Sequence, residues 1–292
     1  MSRLRGSLPP IVLFLAIVIA AVAIGLLPRS SVAHGHPARL VTRRLVGLRQ
    51  PSRLAMPARP QARWLRIPVL MYHRVVTPGP GRGIARDFNV SPAMFDAQMN
   101  WLQHRGYQPI SEATLFRALA LGEALPSRPV LLTFDDGYVD AVHAVRRALI
   151  TAKRHWPATF FVITSRIGKG RFLTWADLHL LETLGMDIGS HTVLHTRLAL
   201  LRPAAQAYEL DRSMQTLTRG LGHPVYWFAY PYGSVSPAAT AAVAHAGYLL
   251  AYTTRTSSWL NIDGRTALPR IMVAGTESLA QFASSVTLAS GG

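Results

Sequence analysis

Pro129-Val130-Leu131-Leu132-Thr133-Phe134-Asp135-Asp136-Gly137-Tyr138 decides the fold. Its first six residues carry no charge and are rich in apolar side chains, which reads as a strand buried on both faces. They run directly into two adjacent carboxylates, and Val139–Lys153 then has helical spacing. Strand, polar turn and helix make one βα unit, and the pattern recurs. Strand-like runs lie at Ile67–Tyr72, Ala158–Ile163, Met186–Gly189, Val225–Ala229, Leu249–Thr253 and Arg270–Val273. Helix-like segments lie between them at Pro92–Gly106, Ser111–Leu121, Trp175–Leu184, Ala204–Arg219 and Pro237–Ala246, the last three closed by Gly185, Gly220 and Gly247. This alternation predicts an α/β fold with a mostly parallel sheet. About seven strands over residues 67–292 suit a distorted or incomplete (β/α) barrel.

In such barrels the chemistry gathers at the C-terminal ends of the strands. His73, Asp135, Asp136, His191 and Tyr232 each lie at or just beyond such an end. Neighbouring carboxylates at a strand end can point apart, one toward a metal and one toward substrate; the competing reading is a cap on the following helix. Ser190-His191-Thr192-Val193-Leu194-His195 spaces two imidazoles for one ion, but Thr192 follows His191, against an H-E-x-x-H metalloprotease. Two His and one carboxylate form a facial set that leaves positions open for water and substrate. Zinc suits that set best, while ligand type alone leaves cobalt, nickel and iron open. Phe228-Ala229-Tyr230-Pro231-Tyr232-Gly233 is a strand end with a Pro/Gly turn, able to turn a backbone N–H toward an oxyanion or to serve as a plain aromatic turn. No G-x-S-x-G, P-loop or G-x-G-x-x-G occurs, and the absence of Cys removes disulfides and thiolate chemistry.

Thr-Phe-Asp-Asp-Gly-Tyr, then Ser-His-Thr-x-x-His, then Tyr-Pro-Tyr-Gly resembles the polysaccharide deacetylase (NodB-homology) family over roughly Ile67–Val273. The opening IPVLMYHRV and the late LPRIMV resemble the branch that includes poly-β-1,6-N-acetylglucosamine N-deacetylases. The resemblance implies hydrolysis of N- or O-acetyl groups on an acetylated glycan. It implies Asp135 as general base, Asp136, His191 and His195 as holders of a divalent metal, and the backbone N–H of Tyr232 as an oxyanion donor. Two features depart from the common form. Ala229 stands where an Arg is usual, and no His follows His245 to supply the late general acid. The branch implies a circularly permuted barrel, in which His73 becomes the acid and Arg270 supplies the guanidinium beside Asp135. A glycan-binding module without turnover is the competing class, and the missing Arg at Ala229 is its support.

The net charge of +17 is unevenly placed. Residues 1–66 hold 11 Arg and no acid, whereas residues 67–292 hold 20 basic and 14 acidic groups. The excess lies in a basic arm, so nucleic-acid binding is not expected of the body. Ile11–Leu27 is an unbroken apolar run near the lower length for spanning a bilayer. It reads either as a signal peptide cleaved after Ala33 or as an uncleaved membrane anchor, and both export the rest of the chain. The Arg-rich flank that follows argues weakly against that orientation. The arm itself suits anionic lipid heads or acidic polymers, so a basic membrane-surface adaptor is a third reading. The expected organisation is a signal or anchor over 1–33, an Arg/Pro-rich tether over 34–66 with a short helical piece at Leu40–Leu48, and a catalytic domain over 67–292.

Overall fold

Seven parallel strands form one curled sheet in the computed structural model, which describes residues 54–58, 60, 63–77, 84–151 and 154–291. They are β1 (Val69–Tyr72), β2 (Pro129–Phe134), β3 (Thr159–Val162), β4 (Asp187–Ser190), β5 (Trp227–Ala229), β6 (Leu250–Tyr252) and β7 (Ile271–Met272). Their order across the sheet is β6-β5-β4-β3-β2-β1-β7, and Gln108–Pro109 pairs beside the start of β2. The first strand therefore sits inside the sheet, between β2 and the last strand. β6 and β7 do not pair with each other; the segment 265–270 fills the gap, with Leu268 N–H donating to Ala251 O at 2.8 Å and Thr253 N–H to Leu268 O at 2.8 Å. The result is an incomplete barrel, and each expected strand is present.

Strand periodicity sorts the side chains onto two faces. Val69, Leu131, Phe161, Trp227, Ala229, Leu250 and Tyr252 point into the interior, where Leu115, Phe116 and Leu119 of helix α2 (Glu112–Leu121) join them. Leu70, Tyr72, Leu132, Phe134, Phe160 and Val162 point outward beneath the surrounding helices. Burial on both faces explains why these strands read as continuous apolar runs. On the outer layer lie α1 (Pro92–His104), α3 (Asp140–Val145), α4 (Trp175–Thr183), α5 (Pro203–Leu221), α6 (Pro237–His245) and α7 (Leu279–Ser290).

Two expectations are corrected. Gly220 does not close α5: it lies within the helix, a glycine because the Trp175 ring lies 2.1 Å from where its Cβ would stand, and Gly222 takes the left-handed cap at φ 82°. Helix α7 was not expected, although the Ser278/Gln281 capping box announces it; its Phe282 ring packs edge-on against Trp101. Residues before Ile67 also pack on the barrel. Leu54, Met56 and Leu65 pack on the interior cluster, Leu65–Arg66 pairs with Trp259–Leu260, and Arg63 donates to Ala118 O at 2.9 Å. Those short apolar stretches were hidden among the arginines. The apolar run Ile11–Leu27, the cleavage site near Ala33 and the helical piece Leu40–Leu48 lie outside the described residues.

Candidate metal centre and cleft

Period two also places the polar residues. Leu131, Thr133 and Asp135 share the interior face of β2 and its extension, as Asp187, Gly189 and His191 do on β4. His73 continues the Val69, Met71 face of β1. These strand ends open on a cleft of about 640 Å³, lined by Met71, His73, Asp135, Asp136, His191, His195 and Tyr232 among others. The metal and acid–base residues read from the sequence thus converge on one mouth. Arg270 does not line it and lies buried beneath.

Asp136, His191 and His195 bring one ligand atom each within 4.8 Å of the others. Both imidazoles turn Nε2 toward Asp136 Oδ1, at 3.6 Å from His191 and 3.3 Å from His195. His191 Nδ1 lies 2.7 Å from Ala229 O, so it carries the proton and leaves Nε2 as the free ligand atom. Burial, then the neighbouring Asp135 charge, pushes the Asp136 carboxyl up to about 7. Burial pulls both imidazoles down to about 4, so both are neutral, as ligands must be. Asp136 Oδ1 is buried with no hydrogen-bond donor. An orphaned acceptor facing two neutral imidazole nitrogens is a donor set that fits a divalent cation.

The backbone around this set is strained. Of the six non-glycine residues with positive φ among the described residues, Asp136, Thr192, His195 and Tyr232 lie at or beside the cleft. Thr192 is β-branched, and such a residue adopts φ 67° only under outside constraint. Its Oγ1 accepts from His195 N–H at 2.9 Å, and its N–H donates to Ser190 Oγ at 3.3 Å. Glu209 of α5, 3% exposed, supplies more: its Oε2 accepts Val193 N–H at 2.8 Å and Leu194 N–H at 2.9 Å. Sequence reasoning missed Glu209, because nothing local marks a helix carboxylate that bonds a loop 15 residues upstream. The expected His-x-x-x-His segment is accordingly a turn pinned from α5. At Gly137 a Cβ would stand 2.9 Å from Val162, so the turn after the Asp pair needs glycine for space as well as for φ 76°.

Asp135 and Arg270 form a buried bidentate pair, Nη1 to Oδ1 and Nη2 to Oδ2, each at 2.7 Å. Arg270 also donates to Thr133 Oγ1 at 3.1 Å and Thr253 O at 3.0 Å. Burial by itself would raise the Asp135 carboxyl, but the guanidinium outweighs it and holds the group well below the usual carboxylate range. A guanidinium thus reaches Asp135 from the segment before β7. His73 packs against Phe88 with ring centroids 4.4 Å apart. Burial lowers its imidazole to about 4, with Asp135 opposing and Arg270 assisting. Tyr232, at φ 58°, lies between the His195 ring, tilted against it at 4.6 Å, and the Arg197 guanidinium at 4.3 Å.

Residues 122–251 match the family model described as polysaccharide deacetylase. YxkH of Bacillus subtilis, which bears the polysaccharide deacetylase name, is 28% identical over 208 residues, covering 71% of each chain. The poly-β-1,6-N-acetyl-D-glucosamine N-deacetylase of Escherichia coli K12 is 24% identical over 244 residues, covering 69% of this chain and 36% of that enzyme. Among solved structures, the Streptococcus pyogenes deacetylase PplD in complex with acetate has a TM-score of 0.69 at 27% identity, covering 78% of this chain and 99% of that one.

Proposed function

The chain carries a polysaccharide deacetylase domain, and from that premise we propose that it is a metal-dependent hydrolase that removes acetyl groups from an N-acetylated glycan outside the cytoplasm. The observation that carries this reading is the orphaned Asp136 Oδ1 facing the Nε2 atoms of His191 and His195, beside the Asp135–Arg270 pair. Asp136, His191 and His195 hold the ion, and zinc suits them best. Bound there, a divalent ion supplies a Lewis acid for the acetyl carbonyl and lowers the pKa of water.

The chain's own residues do the rest. Asp135, kept ionised by Arg270, accepts the proton of the attacking water. The Tyr232 backbone N–H donates to the developing oxyanion. His73 delivers a proton to the leaving sugar nitrogen. Its imidazole is neutral at rest, so it takes up a proton from solvent as negative charge develops on the oxyanion, and the proton accepted by Asp135 returns to solvent when the products leave. The strand order, with β1 between β2 and β7, supports a circularly permuted barrel in which His73 stands where a late histidine would. Arg270 answers the missing arginine, which was the one support for a binding module without turnover. The N-terminal apolar run exports the domain, as a membrane anchor or as a signal cleaved near Ala33.

The test is acetate release from N-acetylglucosamine oligomers by the metal-loaded chain. Turnover should vanish with chelator and return with zinc, and Asp135→Asn should keep the metal but not the turnover. Release that survives complete metal removal would sink the reading. Loss of metal in Asp135→Asn would exchange the roles of the two Asp residues.

A further inference from the structure

The mouth of the cleft carries a charge that acetyl hydrolysis does not require. Its lining includes Arg74, Arg171 and Arg197, while its only lining carboxylates are Asp135 and Asp136. Asp135 is matched by Arg270, and Asp136 faces the two imidazoles. Arg74 is paired with Asp140 at 2.6 Å. Among the described residues no carboxylate pairs with Arg171 or Arg197. Arg166, close by, forms no salt bridge among the described residues, although its charge acts on Asp136, and it lies over the Phe172 ring at 5.4 Å.

Two of these guanidiniums sit over aromatic rings. Arg197 lies on Tyr232, which lies on His195, so its position is tied to the metal centre. Arg166 lies on Phe172, which stacks on the cleft residue Tyr138 at 4.8 Å. A guanidinium over a ring is not neutralised by it, and its N–H edge matches a carboxylate or phosphate with two parallel hydrogen bonds. A neutral acetylated glycan offers such groups only uncharged acceptors, hydroxyls and amide carbonyls. A neutral glycan also acquires ammonium groups as it is deacetylated, and the unmatched arginines repel them.

Resting on the deacetylase reading, we propose that the preferred substrate is an anionic acetylated glycan, with an oxyanion, carboxylate or phosphate, on or next to the sugar that loses its acetyl group. Arg171 and Arg197 receive that oxyanion.

The full metal-loaded chain is assayed for acetate release on three pairs of probes. One pair is a tetramer alternating N-acetylglucosamine and N-acetylmuramic acid, beside its methyl ester. The second is a 6-phosphorylated N-acetylglucosamine tetramer beside its unphosphorylated parent. The third repeats the first with an Arg171→Gln/Arg197→Gln double variant. The charged member should have a kcat/KM about fivefold higher at low salt, the worth of two exposed charge pairs. The ratio should fall toward one at about 0.5 M salt. It should be near one in the double variant, and the larger of the two wild-type ratios names the oxyanion. Equal rates on both members of both pairs, or a ratio that survives the double substitution, overturns the proposal while leaving the deacetylase reading intact. No acetate from any probe overturns that reading, and this proposal with it.

Discussion

Two clusters of acid lie at opposite ends of the barrel interior, with β4 contributing to both. At the C-terminal rim are Asp135 and Asp136, with His191 at the end of β4. At the floor is Glu112, whose oxygens accept from Thr159 of β3 at 3.0 Å and from Tyr252 of β6, and whose N–H donates to Asp187 of β4 at 2.9 Å. Burial pushes both Asp136 and Glu112 upward, to about 7 and about 8. A perturbed carboxyl alone therefore does not separate them. Satisfaction does. Both Glu112 oxygens are hydrogen-bonded and the residue is fully buried, whereas Asp136 Oδ1 has no donor, its backbone is left-handed and it opens on a cleft. The floor is a closed polar network that specifies packing, and the rim is an open one with an unpaired acceptor.

Removing a rim ligand should have the largest effect. Asp136→Ala, His191→Ala and His195→Ala should each abolish measurable turnover and weaken zinc binding by more than about 100-fold, beyond what outer-shell partners cost. Titration with zinc against a competing chelator measures it. Metal affinity that survives any one substitution removes that residue from the set.

Substituting His73, a rim residue outside the metal set, should cost about 10²–10⁴-fold in kcat with metal content unchanged. On an aryl acetate, whose leaving group needs no proton, the loss should be much smaller. An equal loss on both substrates would make His73 a positioning residue.

Glu209 sharpens the contrast from outside the barrel, because it is a satisfied carboxylate that serves the rim. Glu209→Gln keeps the shape but weakens the two backbone bonds that hold Val193 and Leu194. Zinc affinity should fall about tenfold, with kcat at saturating zinc nearly restored. A Tm drop with unchanged zinc affinity would place Glu209 with the floor network.

The fold was legible because strands buried on both faces read as apolar runs, and each of the seven stands where such a run does. The cleft was legible because strand ends carry the chemistry, so His73, Asp135, Asp136 and His191 could be placed without knowing any contact. Long-range partners were not. Glu209 and Glu112 are helix residues with ordinary neighbours in sequence, and only tertiary packing brings them to the loop at 193–194 and to Tyr252. Helix α7 was hidden by its Ser and Ala content, and residues 54–66 by the arginines around them. Arg270 could be placed only by resemblance, since a lone Arg near a strand start carries no spacing signal.

The smallest effect on turnover, and the sharpest on pH, belongs to the floor. Glu112 titrates near 8 in the fold against an ordinary value of 4.5. Burial is the main cause, and the hydrogen bonds from Tyr252 and Thr159 only partly oppose it. A carboxyl that holds its proton more tightly folded than unfolded adds stability that is fully present below about 4.5. That stability is lost as pH rises toward 8, because the unfolded chain ionises first. Gln cannot ionise, so Glu112→Gln should lack this part of the slope. The stability of the variant relative to the wild type should therefore climb by a few kcal/mol between about pH 5 and pH 8 and then level off. Urea unfolding across that range, on metal-free protein, measures it. Turnover at pH 7 should stay within about twofold, since the neutral amide stands in for a carboxyl that is mostly protonated there and does not line the cleft. A flat stability difference would mean that Glu112 is ionised throughout. A loss of turnover matching that of His73→Ala would join floor and rim through Arg270, whose guanidinium lies 5.9 Å from the Tyr252 ring, and would erase the distinction between the two ends.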